Sequence, residues 1–279
     1  MTTVAAAIAA NKPYVKIPAG TYNESLLPVR STSLIGVGNV VLTGQGTSPA
    51  VSPEGAFPAV SVVLQGVSIE GGGGGGVSCS PVLGAVKLTI VESTIKLNAG
   101  VGVFAGGGFC ELTLRRSRVL SNLGGGVQAL DTYTITNNLI AANGSSQSAV
   151  GGASLMASSL STFTNNTVVS NTAKAAAGSA GGIACMGTQP TLYNNIVWGN
   201  GGGAIATCTL MSSNIQTSTP GATNHGADCS LDVLTFLPLA SSQCADAGDS
   251  SAPGVGAIDL SGAARVQGAK VDMGAFEVK

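Results

Sequence analysis

Charged residues are scarce in this 279-residue chain, 9% of the whole, so the places where they gather are the first to read for chemistry. Lys87, Glu92, Lys96, Glu111, Arg115, Arg116 and Arg118 follow one another closely, with Asp131 a little further on. Guanidinium groups can neutralise a uronate carboxylate, acids can hold calcium, and a base can remove the adjacent proton; together these are what a lyase acting on an acidic polysaccharide requires. A glycosidase needs two facing carboxylates, and Arg115, Arg118 and Asp131, the catalytic candidates here, supply one. Without a GxSxG elbow or a Ser-His-Asp order, His225 reads as a surface-loop residue. Asp246, Asp249 and Asp259, followed by Arg265, Asp272 and Glu277, could offer oxygen ligands to a hard cation such as calcium. The alternative is that they form ion pairs and backbone caps. For sugar binding without catalysis the candidates are Arg115 and the two aromatic residues Tyr193 and Trp198, which could stack on a pyranose ring.

What positions these residues is a repeat. With Asn195 of LYNNIVWGN set at zero, equivalent positions are Ser93, Ser117, Asn138, Asn166 and Ser213. Three residues before zero stand Ile90, Leu114, Ile135, Phe163, Leu192 and Leu210. Two after it stand Ile95, Val119, Ile140, Val168, Val197 and Ile215. Four before zero is always threonine: Thr89, Thr113, Thr134, Thr162, Thr191 and Thr209. Five after it come Asn98, Asn122, Asn143, Asn171 and Asn200, each followed by a glycine-rich start to another apolar stretch. Each unit is a short strand, a polar bend and another strand. None can bury its apolar face alone, so the units must stack as a solenoid, and the pattern is that of a parallel β-helix. Alternation sends the aliphatic positions inward and the threonines outward. Asparagine at the bends can take left-handed geometry and form a ladder of amides.

The same register sorts the charges. Lys87 and Glu111 share one position, and Glu92 and Arg116 share another, so each pair should meet across adjacent coils, a contact of roughly 0–1 kcal/mol that needs no catalytic purpose. Arg115 stacks between Val91 and Thr136, and Arg118 between Thr94 and Leu139, so neither has a stacked acid. Tyr193 falls in the outward column of Arg115, and alternation predicts exposure for Trp198, with packing beneath a neighbouring loop as the equal alternative. Insertions fall at 144–150 and 172–181 and are small and almost uncharged. The glycine run 71–76 reads as a bend or flexible loop; without a following Lys-Ser or Lys-Thr it is no phosphate-binding loop.

A net charge of −1 leaves no basic surface for nucleic acid. Mean hydropathy is +0.39, but no apolar run reaches the roughly 18 residues of a membrane span. The N-terminal apolar stretch lacks a basic flank and is too short for a signal peptide, so it reads as part of a mature, soluble, monomeric chain. Six cysteines without CxxC spacing suit disulfides in an oxidising compartment rather than zinc. We expect Cys185 with Cys208, from successive units, Cys229 with Cys244 near the end, and Cys79 with Cys110 by elimination.

The stretch IPAGTYNESLLPVRSTSLIGVG resembles the opening of pectate-lyase-like right-handed β-helix proteins, in which a short alanine-rich helix caps the first coil; AAAIAAN suits that cap. PLASSQCADAGD and AIDLSGAARVQGAKVDMGAFE resemble the terminal region of secreted bacterial β-helix proteins called the choice-of-anchor Q group. The resemblance implies an exported β-helix whose family mostly lacks an assigned chemistry; the expected placement is secreted or at the cell surface, and the expected partner is a polysaccharide or the cell-surface matrix. The expectation is therefore an all-β, single-stranded right-handed parallel β-helix: cap and first coil over 1–38, coils over 39–216 and an irregular closing segment over 217–279. Its expected role is non-catalytic carbohydrate or matrix interaction, with a polysaccharide lyase or glycoside hydrolase, or a purely structural or adhesive rod, as the alternatives. No cofactor is needed for the leading role, and calcium would serve the lyase.

Overall fold

A computed structural model describes residues 3–156, 160–176, 178–187, 191–216 and 223–279. The chain winds as a parallel β-helix with three faces. The first stacks Val60–Gln65, Val86–Val91, Cys110–Arg115, Tyr133–Thr136, Thr162–Thr164, Leu192–Tyr193 and Leu210–Met211. On the second lie Ser68–Glu70, Thr94–Lys96, Arg118–Leu120, Leu139–Ala141, Thr167–Val169, Ile196–Trp198 and Asn214–Ile215. The third is a six-stranded sheet running from Gly75–Cys79 to Ile205–Ala206. Neighbouring strands pair in parallel and in the register of the repeat: Ile95 with Val119, Val119 with Ile140, Ile140 with Val168, Val168 with Val197 and Val197 with Ile215. Those aliphatic side chains fill the interior, while Thr89, Thr113, Thr134, Thr162 and Thr191 stand half-buried on the outside.

The asparagines divide into two kinds, which the sequence pattern does not separate. Left-handed backbone belongs to the residue before zero, Glu92, Arg116, Asn137, Asn165, Asn194 and Ser212, and to the residue four after it, Leu97, Ser121, Ala142 and Ser170. The zero and plus-five residues are instead buried and form two interior ladders. Along the first, the amide N–H of Ser117 donates to Asn138 Oδ1 at 2.9 Å, that of Asn138 to Asn166 at 3.1 Å and that of Asn166 to Asn195 at 2.9 Å. Ser93, Ser117 and Ser213 serve in the same column through Oγ. Asn98, Asn122, Asn143, Asn171 and Asn200 form the second. A Cβ on Gly102 would lie 2.7 Å from Asn122 Nδ2, so the glycine after each ladder asparagine is the space that the amide occupies. The glycine run 71–76 is likewise packed: a Cβ on Gly73 would lie 2.2 Å from Gly46 O.

At the N-terminus, Val4–Ala9 is a single short helix whose Val4 and Ile8 enter the core. Its free amides are capped by Thr3 Oγ1 and by both carboxylate oxygens of Glu24. The expected boundary at residue 38 falls inside the strand Thr32–Thr43, which passes from the first face to the second. All three expected disulfides form: Cys79 with Cys110, Cys185 with Cys208 and Cys229 with Cys244. No helix among the described residues is long and apolar enough to cross a membrane.

The C-terminal segment does more than close the last coil. Asn224 and His225 add a partial turn, with Ser213 N donating to Asn224 Oδ1 and His225 bridging to Asn214. The chain then returns along the outside of the second face. A second core forms there, in which Leu139, Ala141, Val169 and Ile196 meet Leu260, Met273, Ala275 and Phe276. The first asparagine of each NN pair receives this strap: Asn137 Nδ2 donates to Val255 O, Asn165 Nδ2 to Asp272 O and Asn194 Nδ2 to Asp249 O. Thus NN joins an outward docking amide to an inward ladder amide. Upstream, where no strap bonds are made, the equivalent pairs are Glu92-Ser93 and Arg116-Ser117.

Candidate functional site

Three places combine functional groups with accessible space. The first is the uncovered corner between the first and second faces. Arg116 Nη2 donates to Glu92 Oε1 at 2.7 Å, and Gln65 Nε2 reaches the other carboxylate oxygen, so Glu92 is held below the usual carboxylate range, chiefly by Arg116. Lys87 pairs with Glu111 at 3.5 Å and Lys96 with Glu70 at 3.3 Å. Arg115 and Arg118 lie exposed on either side of the bend. Among the described residues, neither is assigned an ion pair or a side-chain hydrogen bond. Their strand partners are Val91 and Thr136 for Arg115, and Thr94 and Leu139 for Arg118.

Asp131 does not join them. It sits in the bend that precedes the strand Tyr133–Thr136, at the opposite end from Thr136, the partner of Arg115. Its Oδ2 accepts from Gly108 N at 2.9 Å and Cys110 N at 3.2 Å, fixing the turn beside the Cys79–Cys110 disulfide. Asp131 lines a second place, a cleft of about 380 Å³ together with Lys87, Glu111, Phe109 and Leu160. The second carboxylate of that region is therefore Glu111. In the repeat register Glu111 and Asp131 stand six and seven residues before zero in adjacent coils, one column apart.

The third place involves the strap. Trp198, expected on the outside, is half-buried beneath residues 228–236 and forms one wall of a cleft of about 290 Å³ with Val169, Asp228, Asp232 and Phe236. Tyr193 does not share it, being covered by Ala252, Val255 and Val271. His225 is half-buried in the partial last turn, its Nδ1 3.0 Å from Gln243 O, and meets no nucleophile.

The acids of the tail are engaged by backbone. Asp259 Oδ1 accepts from Ser261 and Ala263 N and its Oδ2 from Glu277 N. Asp272 accepts from Asp246 and Val278 N, Asp249 from Ser251 N, and Asp246 from Lys270 N. Buried Arg265 donates through Nη2 to Asp272 O and Gly274 O, with Nε 3.8 Å from Glu277 Oε2. Burial pushes Asp272 and Glu277 above the usual carboxylate range and lowers Arg265. Asp246, Asp249 and Asp259 thus serve as separate caps. Among the described residues, no three acidic, histidine or cysteine side chains gather so as to hold a metal ion.

No protein-family model and no curated protein matches the chain. Among solved structures, that of pectate lyase Pel9A is similar with a TM-score of 0.54 and 12% identity, over 99% of this chain and 91% of that one. At this identity the likeness concerns architecture: the chain is an all-β, pectate-lyase-like parallel β-helix.

Proposed function

We propose that the protein is an extracellular β-helix that holds an acidic polysaccharide without cleaving it. The observation that carries this reading is the pair of exposed guanidinium groups of Arg115 and Arg118, which form no ion pair among the described residues, Arg115 acting on Glu92 only at longer range, while the neighbouring cations Lys87, Lys96 and Arg116 are each matched to an acid. Planar guanidinium groups suit uronate carboxylates, which they engage in bidentate fashion. The similar solved structure is that of a pectate lyase. Three disulfides and the terminal segment's resemblance to secreted bacterial β-helix proteins support placement outside the cell.

The test is a pull-down on acidic and neutral polysaccharides, with and without calcium, alongside assays for new reducing ends and unsaturated products. The expected result is retention on acidic polymers, unchanged by calcium, with no products. Arg115→Ala with Arg118→Ala should abolish retention while leaving the melting temperature in place, since both side chains are exposed. Product formation would overturn the non-catalytic reading. One observation favours a hydrolase as the second reading: Glu111 and Asp131 share the 380 Å³ cleft with Lys87. In that case Glu111→Gln would abolish product formation, whereas the Arg115 and Arg118 substitutions would not.

A further inference from the structure

The cleft under the strap carries chemistry opposite in sign to the arginine corner. Its aromatic walls are Trp198, the only tryptophan of the chain, and Phe236. Asp228 and Asp232 supply its charge. Each aspartate uses one oxygen to hold its own loop: Asp228 Oδ1 accepts from Ser230 N at 2.8 Å, and Asp232 Oδ1 accepts from Leu234 N at 3.1 Å and Thr235 N at 2.7 Å. No intramolecular partner is assigned to either Oδ2 among the described residues. The hydrogen bonds from Thr235 hold Asp232 below the usual carboxylate range, so it is ionised across the physiological span.

The loop is also preformed. Phe236 N donates to Asp232 O and Asp232 N to Leu237 O, and the Cys229–Cys244 disulfide ties its start to the rest of the strap. A ligand entering such a cleft pays little ordering cost. Two carboxylates in one cleft with an indole form a setting for an organic cation, which gains from both the acids and the ring quadrupole. The flanking apolar surface of half-buried Phe236, backed by buried Val169, suits the C–H face of a pyranose.

We propose that this cleft binds a protonated amino sugar, such as a glucosamine unit of a de-N-acetylated glycan, stacked on Trp198 with its ammonium group toward Asp228 and Asp232. The site is separate from the arginine corner. Three coil steps separate Arg118 from Ile196, roughly 14 Å along the axis.

Because Trp198 is unique, its fluorescence reports this cleft. The full-length protein would be titrated with glucosamine oligomers, with their N-acetylated counterparts and with oligogalacturonate. A saturable change is expected with the glucosamine oligomers alone, lost when the pH is raised enough to neutralise the amine. Asp228→Asn and Asp232→Asn keep the loop-capping oxygens and should each weaken binding about tenfold, the scale of a charge-assisted hydrogen bond. Arg115→Ala should leave the titration unaltered. An absent response, an equal response to acetylated and free oligomers, or one indifferent to both asparagine substitutions would overturn the proposal. Unchanged melting temperatures of the variants keep a folding defect from being mistaken for loss of binding.

Discussion

A tyrosine in the core shows how little polarity the interior tolerates outside its ladders. Tyr133 is fully buried and its hydroxyl has no hydrogen-bond partner, so burial holds the phenol well above its ordinary range. Tyr133→Phe removes an unpaired polar atom while keeping the ring, and should stabilise the protein by about 1 kcal/mol in chemical denaturation. The two kinds of asparagine should separate in the same experiment. Asn138→Ala orphans the buried N–H of Ser117 and breaks the link to Asn166, at a cost of about 2–3 kcal/mol. Asn165→Gly keeps the left-handed bend and removes its two bonds to the strap together with the long one that Asn194 Nδ2 donates to Asn165 Oδ1. Its loss should be about 1 kcal/mol, with faster hydrogen exchange confined to the strap.

At the scale of elements, the outward positions of the second face record where the strap lies. Ser68, Glu70, Thr94, Lys96 and Arg118 give way to Leu139, Ala141, Val169, Ile196 and Trp198. Leu139→Lys would bury an unpaired ammonium under the strap and should cost about 3 kcal/mol or more, whereas Thr94→Lys on the uncovered part should fall within about 0.5 kcal/mol of neutral. The pH response of the strap follows from the raised values of Asp272 and Glu277. In the span between their ordinary and raised values the folded state holds more protons than the unfolded chain, so stability falls as pH rises. Melting should therefore improve as the pH falls through the raised values toward the ordinary carboxylate range, and Glu277→Gln should flatten that slope. The coils were legible in the sequence because periodic burial and a repeated bend are local signals. The strap's docking was not, since Asn137, Asn165 and Asn194 bond to residues more than fifty positions away. Even so, the loss of polarity along one outward column was a readable sign, and it bears directly on Trp198. The cleft shared by Glu111 and Asp131 was half legible: register sets them one column apart in adjacent coils, but the bend at Asp131 and the turn carrying Leu160, which complete the cleft, are not strand positions.

For the whole molecule, stability is a sum of neighbouring coils rather than of distant contacts. The disulfides span 31, 23 and 15 residues, and chain-entropy reasoning gives about 3 kcal/mol to each. Replacing both cysteines of Cys79–Cys110 by serine should lower stability more than the same change at Cys229–Cys244, by about 0.6 kcal/mol from loop length, as read from denaturation midpoints. The first change should fray coils, and the second should release the strap and the loop beside Trp198. The strap has a mechanical consequence as well. Tension applied at Lys279 meets first the bonds of Asp272, Glu277 and Arg265, then the strap's bonds to Asn165, Asn137 and Asn194. These attachments can break one after another, while the coils beneath share load across many parallel bonds. The strap would thus act as a sacrificial damper, lengthening under modest force and returning when the load falls, while the rod stays wound.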